Sequence, residues 1–227
     1  QGWIAQRNDR AENAIAAFET SLADDPAQPR LRRLLFDSYL KTGRLADARA
    51  AAEWMEEQIA AGQDALRPAA AEMWTALGEP DRAADWWQLL RLATPGVSYY
   101  AIEEAAAHYL ACRPDDAIEV LEELIASAPS PQAYEALVEI HVALGHPDKA
   151  AEVAQAGLAV APSPGLFRAY AENAEAAGLV DDESVAAARK LLEADPGHVQ
   201  GALLVARQLQ ALGRTDEAVA FQELTSQ

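Results

Sequence analysis

Histidine, cysteine and paired carboxylates are the side chains in this sequence that could bind a metal or catalyse a reaction. His108 and His141 stand 33 residues apart, and neither His146 nor His198 has a cysteine or another histidine at helical ligand spacing. Zinc sites usually take ligands a few residues apart on one element, in sets of three or four. The spacing therefore predicts hydrogen-bonded core histidines at positions 108 and 141, rather than a metal pair.

Cys112 is the only cysteine, so the chain cannot form an intrachain disulfide. It precedes Arg113, and a neighbouring cation can favour a reactive thiol. Nucleophilic catalysis also needs an adjacent base, and the sequence places no histidine and acid beside Cys112. We therefore expect Cys112 to pack at a helix end.

Neighbouring carboxylates are abundant, as at Glu103-Glu104, Glu122-Glu123 and Asp181-Asp182. General acid–base catalysis needs groups that converge on the substrate, so this abundance indicates solvated helix faces. The turn Gly78-Glu79-Pro80 lacks the lysine and the further glycine of a phosphate-binding loop. We expect no catalytic residue, no metal and no cofactor.

The charge of the chain restricts its partners. With 18 basic and 36 acidic residues its formal charge is −18, which disfavours nucleic acids and anionic membrane surfaces. A membrane span needs about 18 or more consecutive apolar residues, and no such run exists, so we expect no membrane insertion. The acidic surface serves solubility, with recognition of a basic partner as the alternative.

A turn residue followed five positions later by alanine recurs every 33 to 35 residues. The clearest copies are Gly43/Ala48, Gly78/Ala83, Gly145/Ala150 and Gly213/Ala218. Another residue replaces the glycine in Asp9/Ala14 and Cys112/Ala117, and Gly178/Ser184 is displaced by one position. Such a period predicts stacked repeats instead of one globular core. The alanine is expected where the two helices of a repeat cross.

Each period divides into two amphipathic stretches, which predict a pair of helices. Leu31, Leu34, Leu35 and Tyr39 share one face of the stretch before Gly43, the spacing of a buried stripe. Further helices are expected over residues 45–61, 68–77, 82–93, 99–111, 116–127, 132–144, 149–160, 166–177, 183–194, 198–212 and 216–224. Proline suits the first turn of a helix at positions 80, 114 and 147, and ends the preceding helix at positions 95, 129, 162 and 196.

Over nearly all of its length the chain resembles the tetratricopeptide repeat (TPR) family, whose unit repeats about every 34 residues. The matching residues are Ala14, Phe18 and Pro26 in the first unit, Tyr39, Gly43 and Ala48 in the second, Trp74, Gly78, Ala83, Trp87 and Pro95 in the third, and Tyr134, Leu137, Gly145, Ala150 and Pro162 in the fifth. Related helical repeats, including the Sel1-like type, fit the period less well.

The resemblance implies an all-α fold, a right-handed superhelical solenoid of antiparallel helix pairs. We expect residues 1–227 to form a single TPR-like solenoid of about six to seven repeats, the first of them incomplete. Because the sequence starts at Gln1 without a methionine, we expect a piece of a longer protein. An array cut inside its first repeat would expose apolar surface, so we also expect an end-to-end homodimer.

In TPR proteins the ligand lies on the concave wall formed by the first helices. Carried over to this sequence, the partner-binding positions are Arg30, Arg33, Asp37, Lys41, Glu72, Tyr99, Ile102, Tyr109, Gln132, Glu135, Glu139, Arg168, Glu172, Gln200, Leu203 and Arg207. Tyr99 and Tyr109 would anchor a peptide, and Glu135, Glu139 and Glu172 would favour its basic residues. The lysines and asparagines by which the family clamps chaperone tails are mostly replaced here.

Five tryptophans stand in the chain. Trp74 and Trp87 occupy seam positions and are expected in the core. Trp86 must point to another side of its helix, and Trp3 and Trp54 lie outside the seam. For these three we expect packing against a neighbouring repeat, with anchorage of a partner as the alternative.

The sequence thus predicts a non-enzymatic scaffold that binds a protein or peptide segment in its concave groove. Two other functions are considered. One is the periplasmic TPR part of a bacterial exopolysaccharide export or envelope assembly protein, and the other is an accessory repeat domain of a larger enzyme. The arginine-rich, alanine-rich composition suggests a bacterial source, in which the cytoplasm and the periplasm are the two candidate compartments.

Overall fold

Thirteen α-helices and no strand make up the described part of the chain, residues 2–194 and 199–224 of a computed structural model in which side chains are described for 11–193 and 199–221. The helices are α1 Gly2–Asp24, α2 Pro29–Thr42, α3 Leu45–Ala60, α4 Arg67–Leu77, α5 Pro80–Ala93, α6 Ser98–Leu110, α7 Pro114–Ser127, α8 Pro131–Ala143, α9 Pro147–Val160, α10 Pro164–Ala177, α11 Asp182–Ala194, α12 Val199–Ala211 and α13 Thr215–Leu224. A short 3₁₀ helix, Asp64–Leu66, precedes α4. Pro196, His198 and the side chain of Trp3 lie outside the described residues.

Proline fixes many of the helix starts. Pro80, Pro114 and Pro147 open α5, α7 and α9, as predicted, because the preset φ of proline suits the first helical turn and its missing N–H leaves no donor unpaired there. Ser130 and Ser163 cap α8 and α10 by accepting from the backbone N–H groups three residues later. The all-α prediction is confirmed.

The predicted turn at Asp9 is wrong, because α1 continues through it from Gly2 to Asp24. The segment around Asp9 contains neither glycine nor proline, and aspartate alone lowers helix propensity only slightly. Ala14 therefore lies inside a long helix, where it is half-buried, and Ile15 takes the fully buried place beside it.

The helices form two compact units, Gln1–Arg113 with α1 to α6 and Pro114–Gln227 with α7 to α13. Successive helices within each unit pack together across short turns and so run in opposite directions. The largest fully buried apolar side chains are Trp74, Trp87, Phe36, Ile15, Met55 and Met73 in the first unit and Leu121, Leu166, Leu209 and Val205 in the second. The single solenoid over residues 1–227 stays a prediction.

The alanines of the repeat are buried as predicted, with Ala48, Ala83, Ala117, Ala150 and Ala218 each at most 1% exposed. In the displaced copy the corresponding place is taken by Ser184, which is equally buried. Its hydroxyl donates to the carbonyl of Asp181 and its N–H donates to the Asp181 carboxylate. These bonds pair the polar atoms of Ser184, so a serine is tolerated where the other repeats bury a methyl group.

The predicted stripe on α2 is partly wrong. Leu35 and Tyr39 are buried together with Phe36, and Leu31 is half-buried, but Leu34 is 51% exposed. An α-helix turns about 100° per residue, so the face that buries Leu35, Phe36 and Tyr39 leaves Leu34 on nearly the opposite side of the helix. Leu34 therefore adds an apolar side chain to the exposed face of α2.

Cys112 occupies a left-handed turn in place of the usual glycine. Its φ is 60°, compared with 70° at Gly78 and 74° at Gly145. The turn still closes α6, with the N–H of Arg113 bonded to the carbonyl of His108 at 2.9 Å. The expected packing role for Cys112 is wrong, since its side chain is exposed.

We expect Cys112→Gly to stabilise the first unit by about 0.5–1 kcal/mol, because a Cβ in the left-handed region is strained and glycine is not. Chemical denaturation of the variant and the parent protein measures the change. Ala111→Gly is the control, since Ala111 has a φ of −77° and gains nothing from glycine. A less stable Cys112→Gly protein would show that this turn carries no strain.

Candidate functional site

Arg33 joins α2 and α4, which are the first helices of two successive repeats. Its guanidinium lies 2.9 Å from the Glu72 carboxylate and 3.5 Å from that of Asp37, and it also donates to the carbonyl of Ala69 at 3.4 Å. All three charged side chains remain partly exposed. The structure thus brings together three residues that the sequence assigned to the concave wall.

Tyr99 and Glu103 of α6 continue this surface next to Glu72. Tyr99 stands four residues before Glu103 on α6, one helical turn away, and the Tyr99 hydroxyl and the Glu103 carboxylate influence each other's pKa. Burial, followed by the charges of Glu103 and Glu72, raises the pKa of Tyr99 above its usual value. Burial also raises the pKa of Glu103, with a further contribution from Glu72, while the nearby Tyr99 hydroxyl opposes the shift.

The other predicted positions of the first unit are also accessible. Arg30 and Lys41 are exposed near opposite ends of α2, and neither forms an ion pair within the described residues. Ile102 and Tyr109 are half-buried on α6. The first unit therefore presents exposed cations on α2, a neutralised arginine beside α4, and aromatic and acidic groups on α6.

In the second unit Glu135 links α8 to α10. Its carboxylate accepts a hydrogen bond of 2.6 Å from the hydroxyl of Ser163, the residue that caps α10. Gly165 makes room for this contact, because a side chain at that position would collide with the Glu135 carboxylate. Glu135 is therefore held by its neighbour and is less free to bind a ligand than the sequence suggested.

Arg207 and Glu175 form a two-pronged ion pair between α12 and α10. The Nε and Nη2 atoms of Arg207 lie 2.7 and 2.9 Å from the two oxygens of Glu175. This hydrogen bond is the main cause that raises the pKa of Arg207, and Glu172 adds a smaller effect. Both partners remain accessible to solvent, so the pair lies on the surface that a partner would contact.

The remaining predicted residues of the second unit are exposed, apart from half-buried Leu203. They are Gln132 and Glu139 on α8, Arg168 and Glu172 on α10, and Gln200 on α12. Among the described residues Glu139 and Arg168 form no ion pair. Both charges are therefore available to a ligand, as is that of Glu172, which also forms no ion pair there.

Four residues on these faces were not among the predicted partner-binding positions. Leu34, Glu103, Leu110 and Glu175 stand on first helices beside residues that were predicted. The repeat register could have predicted three of them. Leu34 and Glu103 each stand nine positions before the turn residue of their repeat, and Glu175 and Tyr109 each stand three positions before theirs. Leu110 is 63% exposed, although a leucine at a helix end suggests burial.

A small pocket of about 200 Å³ lies between the end of α4, the start of α5 and the stripe of α6 that faces them. It is lined by Thr75, Gly78, Pro80, Ala83, Glu103, Ala106, Ala107 and Leu110. Ala83 and Ala107 are buried, whereas Ala106 and Leu110 are exposed. Glu103 is the only charged residue in the lining.

The expectation that the carboxylate pair Glu103-Glu104 is solvated is wrong for Glu104. The Glu104 side chain is fully buried, and Arg91 binds its two oxygens at 2.6 and 3.2 Å. The Nε2 atom of His108 lies 3.7 Å from the same carboxylate. Glu122, Glu123, Asp181 and Asp182 are exposed, as expected.

The predicted burial of His108 and His141 is confirmed, but their expected hydrogen bonding is incomplete. In both rings the Nδ1 atom is buried without a hydrogen-bond partner. Burial, followed by the charges of Lys149 and His146, lowers the pKa of His141. In the described part of the chain no three histidine, cysteine or acidic residues are arranged to hold a metal ion.

The tryptophans serve packing where their side chains are described. Trp74 and Trp87 are buried, as predicted. Trp86 is half-buried and donates to Glu56 of α3 at 2.8 Å, so it packs on the preceding repeat. The guanidinium of Arg32 lies 4.2 Å from the ring centre of half-buried Trp54.

Among the helices described, none is long and apolar enough to cross a membrane.

Two models of the tetratricopeptide repeat match the chain, one over residues 5–58 and one over residues 102–167. Together the two matched segments span the larger part of α1 to α3 and of α6 to α10. No curated protein matches the sequence.

Solved structures of the same architecture superpose on the chain at low sequence identity. The MamA protein has a TM-score of 0.55 and 18% identity, with coverage of 68% of this chain and 85% of that one. YrrB, a TPR protein with an unusual peptide-binding site, has a TM-score of 0.54 and 13% identity, covering 69% and 81%. Yeast Tom70 has a TM-score of 0.53 and 15% identity, covering 96% and 55%. At this identity the likeness shows the fold.

Proposed function

The chain belongs to the tetratricopeptide repeat family, and we propose that it is a non-enzymatic scaffold that binds an extended protein segment along the first helices of its repeats. Proteins of this family generally serve protein–protein interaction. The finer part of the proposal is the surface that is used and the kind of segment that is bound.

The observation that carries the proposal is the exposure of the first-helix faces. None of the predicted partner-binding side chains is buried, although the opposite faces of the same helices form the cores. Leu34, Tyr99 and Leu110 are 51%, 49% and 63% exposed on α2 and α6. Large apolar and aromatic side chains on a mixed polar surface are the usual anchors of a protein partner.

The charges on these faces favour a segment of mixed polarity. Arg30 and Lys41 offer unpaired cations in the first unit, whereas Glu139 offers an unpaired carboxylate in the second. Arg33 and Arg207 are already neutralised by glutamates. Free groups gain more from a ligand charge than groups that must first give up a partner. A segment bound to the first unit is therefore expected to carry acidic residues toward α2, and a segment bound to the second unit is expected to carry a basic residue toward α8.

Likeness to YrrB supports a peptide as the ligand, since that protein has the same fold and a peptide-binding site. The family's clamp for chaperone tails is not expected to operate here, because glutamate and alanine occupy most of the positions that would need lysine or asparagine. The proposed recognition therefore depends on aromatic anchors and paired charges instead of capture of a terminal carboxylate.

We expect the double variant Tyr99→Ala, Tyr109→Ala to bind its peptide at least about tenfold more weakly, because each tyrosine supplies apolar area with a polar tip. Peptides selected by the parent protein from a random phage-displayed library provide the ligand, and calorimetric titration measures the affinity. The matched control is Leu89→Ala, Leu92→Ala, which removes exposed apolar side chains from the second helix α5. Unchanged affinity in the tyrosine variant, or an equal loss in the control, would contradict the proposal.

A further inference from the structure

The pocket between α4, α5 and α6 combines an apolar lining with one carboxylate. Pro80, Ala83, Ala107 and Leu110 supply carbon surface, and Glu103 supplies the only charge. Small-molecule sites usually measure roughly 300–1,000 Å³, so a pocket of about 200 Å³ suits a single long side chain. Exposed Ala106 and Leu110 at its margin leave it accessible.

Glu103 lacks a cation in the structure. Among the described residues no arginine or lysine forms an ion pair with it, and the Tyr99 hydroxyl is the polar group that influences its pKa. An ionised carboxylate has about four acceptor positions on its two oxygens, so Glu103 can accept hydrogen bonds from a ligand cation. By contrast, the neighbouring Glu72 and Glu104 are bound by Arg33 and Arg91.

We propose that this pocket receives a lysine or arginine side chain of the bound protein segment, with its aliphatic stem on Pro80, Ala83 and Leu110 and its cationic head on Glu103. The inference rests on the proposed function and names the chemistry of one ligand residue. An extended segment that contacts Tyr99 passes close to the pocket, since Tyr99 stands one helical turn before the lining residue Glu103 on α6.

A basic side chain fits this pocket better than the other side-chain types. An apolar occupant would cover Glu103 without pairing it, and burying an unpaired carboxylate is unfavourable. An acidic occupant would meet both Glu103 and the nearby charge of Glu72. Burial already raises the pKa of Glu103, and a cation relieves that penalty because it favours the ionised form.

Titration of the ¹⁵N-labelled chain with n-butylammonium, followed by NMR, tests the pocket directly. We expect shifts centred on the amides of Gly78, Ala83, Ala106 and Leu110, with weaker binding of neutral n-butanol. Comparison with n-butylguanidinium tells whether lysine or arginine is preferred. Glu103→Gln should weaken butylammonium about tenfold, the size of a charge-assisted hydrogen bond.

Two further variants complete the test. Ala106→Phe places a large side chain at an exposed position of the lining and should exclude the probe while leaving Glu103 in place. Glu152→Gln removes an exposed carboxylate from the second helix α9, which carries no predicted binding residue, and should change nothing at the pocket. Equal binding of butanol and butylammonium, or full affinity in Glu103→Gln, would overturn the assignment.

Peptide selection separates failure of this inference from failure of the proposed function. Support consists of selected peptides with one required lysine or arginine, a requirement lost with Glu103→Gln and kept with Glu152→Gln. Selected peptides that depend on Tyr99 and Tyr109 but need no basic residue would overturn the pocket assignment alone. The absence of any selected peptide would overturn the proposed function and the assignment of the pocket to a peptide side chain, whatever butylammonium does.

Discussion

Replacement of Trp87 by alanine is expected to destabilise the first unit by about 3–5 kcal/mol, the usual loss when a buried tryptophan is truncated. Trp87 is 1% exposed. Its ring centre lies 5.6 Å from that of Tyr99 and 6.0 Å from that of Tyr100, and its Nε1 donates to the Thr75 hydroxyl at 3.1 Å. Denaturation by urea, followed by tryptophan fluorescence, measures the free energy of unfolding.

Trp86→Ala is the matched control, because it removes the same side chain from the adjacent position of α5. Trp86 is only half-buried and keeps one hydrogen bond, to Glu56. We expect a loss of about 1–2 kcal/mol from the smaller buried area and the lost bond. Equal losses in the two variants would contradict the packing described for Trp87.

The second large effect is expected for Glu104→Ala, at about 3 kcal/mol, because breaking a buried ion pair removes a close contact between opposite charges that water does not screen. The Glu104 side chain is 0% exposed and that of Arg91 is 22% exposed. The partial exposure of Arg91 moderates the loss. His108 also loses its neighbouring carboxylate, 3.7 Å away. Urea denaturation with the same fluorescence signal checks the value.

Glu72→Ala provides the comparison, since Glu72 also stands on a first helix and is also bound by an arginine. The Arg33–Glu72 pair is 2.9 Å long, with side chains 31% and 44% exposed. Exposed pairs contribute about 0–1 kcal/mol, because water and salt screen them. If Glu104→Ala and Glu72→Ala destabilised the protein equally, burial would not determine the strength of these pairs.

The helix pairs could be predicted from the sequence because their signals are local. Glycine or proline punctuates most turns, and the small alanine such as Ala83 or Ala150 recurs at a fixed distance from them. Glycine and proline restrict or free their own backbone dihedral angles whatever surrounds them, so their effect can be predicted from a single sequence. Where such a residue was lacking, as at Asp9, the predicted turn was wrong.

The burial and the contacts of single side chains were harder to predict, because they depend on neighbours from other repeats. Glu103 and Glu104 look alike in sequence, yet one lines a pocket and the other is fully buried beneath Arg91. Only the arrangement of α5 against α6 distinguishes them. Leu34 shows the same limit, since its exposure depends on how α2 is rotated toward its neighbours.

The sixteen concave positions were carried over from the repeat register, and each described one lies at least partly exposed. Their pairing could not be predicted. Glu135 with Ser163, and Arg207 with Glu175, are contacts between successive first helices, which a single repeat does not contain. The register of the repeat predicts the helix face on which a residue lies. Whether that residue is available to a ligand depends on its contacts with the next repeat.

The division of the tryptophans gives the protein a built-in optical reporter. All five precede Arg113, so they belong to the first of the two compact units, and the second unit has none. Each unit has its own apolar cluster, and arrays with mainly nearest-neighbour contacts can melt piecewise. Intrinsic fluorescence would then follow one half of the chain while circular dichroism follows both. Transitions that fail to coincide would reveal a state in which one half has melted and the other persists.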